Sequence, residues 1–141
     1  MIGIVLIRGT IGTRPDVRET LKRLNLTRKN SVVFVEDTPQ IRGMIRVVKD
    51  YVTYGTVTDE TVKSVLDARG ETPAVRTPRV PGRTGTTNVR SGTVLGTEVR
   101  LPIRLSPPRK GFERKGIKQP FSQGGALGER TNMDELLTRM I

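Results

Sequence analysis

The chain has 141 residues, enough for one modest hydrophobic core but not for two well-packed domains. Lys and Arg number 25 against 14 Asp and Glu, a formal net charge of +11, and His and Cys are both absent. That balance points to a polyanionic partner, nucleic acid first and an acidic membrane surface second, and it removes thiol nucleophiles, disulfides, His general bases and the usual zinc ligands, while leaving carboxylate acid/base chemistry open.

The longest apolar run, IGIVLI at 2–7, reads as a first strand ending at Gly9. It is too short to cross a bilayer and no basic region precedes it, so the expectation is a cytoplasmic protein. Thr13 then offers a helix cap with Pro15 in the first turn, and Val17, Leu21 and Leu24 share one face. SVVFVE (31–36) predicts a second strand. Thr38 and Pro39 open a second helix with Ile41, Met44, Ile45 and Val48 along one stripe. YVTYGTV (51–57) alternates as a third strand, with Tyr51, Thr53 and Gly55 opposite Val52, Tyr54 and Thr56. A third helix runs from a Thr58 cap through Val62, Val65 and Leu66 to a terminal Gly70.

Beyond residue 70 the composition changes. Residues 72–128 carry eleven basic side chains against Glu98 and Glu113, a net of +9, together with seven of the nine prolines. Between 72 and 100 there are no aromatics and few large apolar residues, so this stretch should be disordered or loosely extended by itself. The chain closes on a helix in which Asn132 and Glu135 form a capping-box pattern and Met133, Leu136, Leu137 and Met140 a stripe that should dock on the domain. The expected organisation is a compact core with its following helix over 1–70, an extended Pro/Gly/Arg-rich insert over 71–104, a basic extension over 105–130 and a terminal helix over 131–141.

Four clusters are candidates for function. RGTIGTR (8–14) sets two glycines and two arginines between a strand and a helix, where backbone amides could meet a phosphate, although a turn needing glycine is the simpler reading of so short a motif. Glu36 and Asp37 could hold Mg²⁺ or act as an acid/base pair, but neighbours along a strand point to opposite faces. Arg28 and Lys29 lie just before the second strand, and Arg42, Arg46 and Lys49 share one side of the second helix, either as a solvated face or as phosphate contacts. The extension interleaves Arg109, Lys110, Arg114, Lys115 and Lys118 with Phe112 and Phe121, which suits a strand threading folded RNA: cations neutralise phosphates and an aromatic stacks or wedges. Arg104 adds a cation ahead of it.

The residues EDTPQIRGM, within the stretch from Arg8 to Gly55, resemble the core of the large-subunit ribosomal protein thirty family, whose eukaryotic members carry the number seven. LSPPRKGFERKGIKQPFSQGGALGERTNMDELLTRM (105–140) resembles the C-terminal extension of its archaeal and eukaryotic members, with the Pro-Arg-Lys-Gly, Gly-Gly and Arg-Met signatures in order; the lack of a long basic N-terminal extension favours the archaeal type. Residues 72–100 depart from the family's pattern. The resemblance implies an α+β fold: a β-α-β-α-β core, a ferredoxin-like variant with a three-stranded antiparallel sheet and two helices on one face. It implies a non-catalytic constituent of the large ribosomal subunit on 23S rRNA, among other large-subunit proteins, with proximity to 5S rRNA left open. No cofactor, metal, membrane or small-molecule substrate enters. Its RNA contacts map onto Arg8, Arg14, Arg18, Arg28, Lys29, Arg42, Arg46 and Lys49. Two rival classes stand beside it: a small ferredoxin-like phosphate-handling enzyme using the 8–14 loop with Glu36 or Asp37, and a peripheral membrane binder, which lacks any basic amphipathic helix.

Overall fold

The computed structural model describes residues 1–70 and 91–141. The first strand, β1 (Ile2–Leu6), pairs antiparallel with both β2 (Ser31–Val35) and β3 (Val52–Thr56). Helices α1 (Pro15–Arg23) and α2 (Pro39–Val48) fill the two connections, and α3 (Asp59–Arg69) follows β3. This is the expected three-stranded antiparallel core. Two short strands extend it: β6 (Ile103–Arg104) joins the free edge of β2 antiparallel, and β7 (Gly128–Glu129) joins the edge of β3 in parallel. A separate hairpin is formed by β4 (Ser91–Val94) and β5 (Thr97–Arg100), and α4 (Met133–Met140) ends the chain.

Alternation along the strands divides the core into two layers of side chains. Ile2, Ile4 and Leu6 of β1, Val33 of β2 and Val52 of β3 pack with Val17 and Leu21 of α1 and Ile45 and Val48 of α2. Val5, Val32, Phe34 and Val57 pack on the other side with Val62 and Val65 of α3 and with Met133, Leu136, Leu137 and Met140 of α4. The fold is α+β, and the sheet, which the family resemblance implied to carry two helices on one face, is covered on both faces. Fully burying side chains of this size stabilises by roughly 1.5–3 kcal/mol each, so α4 carries a large share of the second layer.

Helix starts follow the sequence unevenly. Thr38 caps α2 as expected, its Oγ1 accepting from the Ile41 amide at 3.3 Å. Thr13 does not cap α1: its hydroxyl donates to the Thr10 carbonyl at 2.8 Å to close a turn, and Arg14 takes the cap position without a side-chain bond. Asn132 precedes α4, but its amide donates to the Glu135 carboxylate at 3.1 Å and the backbone arm of the capping box is missing. Gly70 ends α3 with φ of −66°, so no left-handed turn demands glycine there.

Larger departures lie past residue 90. The stretch 72–100 was expected to lack order; residues 71–90 lie outside the described residues, but 91–100 form a hairpin. Its two-residue turn, Leu95 at φ 50° and Gly96 at φ 79°, has the twist that antiparallel strands favour, and Val94 and Val99 bury into the α3/α4 layer. The segment 106–128 has no side-chain periodicity, yet this chain holds it. The Ser106 and Arg109 amides donate to the carbonyls of Met140 (3.0 Å) and Arg139 (2.9 Å), and the Phe121 and Leu127 amides bond across a loop to Leu127 and Gln119. Ala126 and Leu127 bury beside Ile7.

Candidate nucleic-acid interface

Strand register decides which charged segments meet. Leu6 lies opposite Val52, Ser31 opposite Arg104, and Thr53 opposite Gly128, so the end of β1 and the starts of β2, β3 and β7 share one end of the sheet with the end of β6. The Asn30 amide donates to the Leu6 carbonyl (2.8 Å), the Leu105 amide to Asn30 (2.8 Å), and the Ile7 and Arg8 amides both donate to Tyr51 (3.0 and 3.1 Å). This end therefore collects Arg8, Arg28, Lys29, Lys49 and Arg104. Lys29 reaches back across Gly9, its Cε 3.0 Å from where a Cβ on that glycine would stand.

Two basic grooves open there. One is lined by Arg28, Arg69, Arg100 and Arg104 with Leu101, Pro102 and Ile103. The other brings Arg8, Lys49, Asp50 and Tyr51 together with Lys118, Pro120, Leu127 and Gly128 of the extension. Arg8 lies over the Tyr51 ring, 5.0 Å from guanidinium carbon to centroid, and donates from Nη1 to the Asp50 carbonyl at 3.1 Å.

The remaining sequence candidates spread outward. Arg14 and Arg18 are exposed at the start of α1, Arg14 pairing with Asp16 at 3.3 Å. Arg46 lines a cleft beside Tyr54 and Glu129, and Arg42 sits at the far end of the sheet in a bidentate pair with Asp37. That pair holds the Asp37 carboxyl below its usual range, chiefly through the hydrogen bond, and pushes Arg42 up. Arg109, Lys110, Arg114 and Lys115 are exposed on turns beside α4, whereas Phe112 is half-buried and packs against two core clusters.

The opposite end of the sheet is acidic. Val35 and Thr56 lie opposite Ile2, so Glu36 and Asp37 gather there with Asp59 and Glu60 at the start of α3; Asp134 joins them, its Oδ1 accepting from the Thr58 amide at 3.1 Å. Glu36 and Asp37 thus lie a sheet's length from RGTIGTR, which separates the two halves of the enzyme reading. Among the described residues no group of three or more Asp or Glu could hold a metal ion, and no helix is long and apolar enough to cross a membrane.

One residue that sequence reasoning passed over organises the extension. The Arg130 side chain is fully buried, Nη1 donating to Glu113 Oε1 at 2.8 Å and the guanidinium lying 4.5 Å over the Phe121 ring, with Arg139 a further 3.9 Å from the same carboxylate. Nothing in GERTN distinguishes this arginine from a surface cation; only the fold reveals its burial.

The family model described as Ribosomal protein L30p/L7e matches residues 2–52. The chain is 37% identical to the large ribosomal subunit protein uL30 of Methanococcus maripaludis, across 98% of its own length and 97% of that protein's. It is 38% identical to the same-named protein of Methanopyrus kandleri (96% and 100%) and 35% identical to that of Methanosphaera stadtmanae (100% of both). The chain belongs to the L30p/L7e family. That is a family of structural ribosomal proteins and not of enzymes, and these relatives are archaeal, as the tail resemblance implied.

Proposed function

We propose that this chain, a constituent of the large subunit of the cytoplasmic ribosome, binds and stabilises folded 23S rRNA through the basic end of its sheet and the adjoining extension. The observation that carries the reading is the convergence of Arg8, Arg28, Lys29, Lys49 and Arg104, from four separate segments, on one end of a rigid sheet. Such an array suits phosphates of a fixed RNA shape: the cations displace condensed counterions, and the strands hold them in register. Arg109, Lys110, Arg114 and Lys115, exposed on turns that begin at the C-terminal end of α4, extend the charged surface. Neighbouring large-subunit proteins are further partners, and protection of 5S rRNA by the bound chain would add it to them.

The test is the salt dependence of affinity for transcribed 23S rRNA. Neutralising Arg28, Lys29, Lys49 and Arg104 together, or the four cations of the extension together, should weaken binding and flatten the slope by roughly one unit per lost phosphate contact. Unchanged slopes for both variants would refute the reading.

A further inference from the structure

We infer that the groove between Arg8 and Lys118 is a pocket for one unpaired RNA nucleotide, so that the protein captures a base turned out of a helix as well as gripping backbone. The inference rests on the rRNA-binding reading and deepens it at one site.

The groove is open to solvent on one side and has about 480 Å³ of space, a volume in the range of small-ligand sites. Its walls divide by chemistry. Tyr51, Pro120 and Leu127 supply apolar surface, Arg8, Lys49 and Lys118 supply charge, and Asp50 supplies a carboxylate. Arg8 is not a freely moving cation. Its guanidinium is held over the Tyr51 ring and by its bond to the Asp50 carbonyl. A guanidinium plane fixed in this way is a stacking platform for a base, a role that a mobile lysine cannot fill. Lys49 at the end of α2 and Lys118 from the extension can take the flanking phosphates, and Asp50 can accept from N–H groups on a base edge.

Gly128 lines the same groove with φ of +83°, and a Cβ built on it would meet nothing within 4 Å. The backbone there is open to close approach, which a packed strand edge does not need. A paired base in an A-form helix is shielded on both faces by its neighbours, so stacking on Arg8 selects unpaired nucleotides.

The test uses a Tyr54→Phe background. The chain has two tyrosines and no tryptophan, so Tyr51 then becomes the sole tyrosine emitter. A short single-stranded oligoribonucleotide should quench its emission and shift the Gly128 amide resonance. Arg8→Lys keeps the charge but loses the plane, and should lower single-strand affinity roughly tenfold while lowering affinity for an RNA duplex far less. Circular dichroism and core amide shifts of Arg8→Lys matching the parent would exclude misfolding. The pocket is refuted if Arg8→Lys binds the single strand as the parent does, or if the Gly128 amide stays unshifted at saturation. Binding of duplex alone removes the pocket and leaves the wider reading standing; failure to bind transcribed 23S rRNA as well removes both.

Discussion

Arg42 shows how one contact changes the meaning of a basic residue. Both its Nε and Nη2 donate to the Asp37 carboxylate, so a phosphate could engage this arginine only by displacing a partner that is already bidentate. The hydrogen bond is the main cause of the depressed Asp37 pKa; desolvation opposes it, and Coulomb attraction from Arg42 adds a smaller lowering. Because the folded value lies below the unfolded one, the pair's contribution is present above the ordinary carboxylate range of about 4 and is lost as pH falls through the depressed value. Arg42→Gln should raise the Asp37 carboxyl titration, followed by NMR, toward that ordinary value. A carboxyl that titrates identically in both proteins would show that Arg42 does not hold it. The sequence announces the Thr38–Pro39 helix start here but not the ion pair. Asp37 precedes the cap and Arg42 is five residues on, outside the three- and four-residue spacings by which helical neighbours are recognised. Thr13 misled for another reason: α1 starts one residue later, so Arg14 takes the cap position and the Thr13 hydroxyl donates to the carbonyl of Thr10.

At the level of elements, periodic segments were legible and conditional ones were not. β1, β2, β3 and the apolar stripes of the helices declare themselves because each buries a regular face. β6 and β7 have two residues each and exist through the neighbours they pair with, and the loop 113–127 is shaped by backbone bonds and one buried ion pair. That pair sets up a prediction. Glu113→Ala leaves the fully buried Arg130 facing only a ring, and should destabilise the protein by about 3 kcal/mol, at the lower end for a broken buried pair because solvent reaches Glu113. Amide exchange across 113–127 should accelerate more than in the strands. The double variant Glu113→Ala with Arg130→Met should recover much of the loss, since no stranded charge remains. Chemical denaturation of the three proteins measures this, and a double variant no more stable than Glu113→Ala would mean that the pair is not what holds the loop.

Among the described residues, charge is polarised along the strands, and much of that polarity serves the helices. α2, α3 and α4 each start near the acidic end and finish near the basic one: Asp59, Glu60, Asp134 and Glu135 sit in first turns, and Arg46, Arg69 and Arg139 in last turns. Those charges complement the helix dipoles. Arg8, Arg28, Lys29, Arg104 and Lys118 lie on loops or a short edge strand, where no dipole needs them, so they are among the charges free to serve a partner. Sequence could count the cations but could not bring positions 8, 28, 49, 104 and 118 to one place, because that follows from strand register. The two sets should separate by experiment. A five-residue strand spans roughly 17 Å, about two Debye lengths at physiological salt, so the ends are electrically insulated in solution. Asp59→Asn with Glu60→Asn should therefore lower stability by about 0.3–1 kcal/mol per residue and leave rRNA affinity within about threefold. Arg28→Gln with Lys29→Gln should do the reverse, weakening rRNA binding with little change in melting temperature. Lys49, which caps α2 and lines the Arg8 groove, belongs to both sets, and its neutralisation should lower both quantities. Thermal melts and rRNA titrations on the same samples decide it: a large loss of affinity in the acidic-end variant would mean that this end faces RNA too.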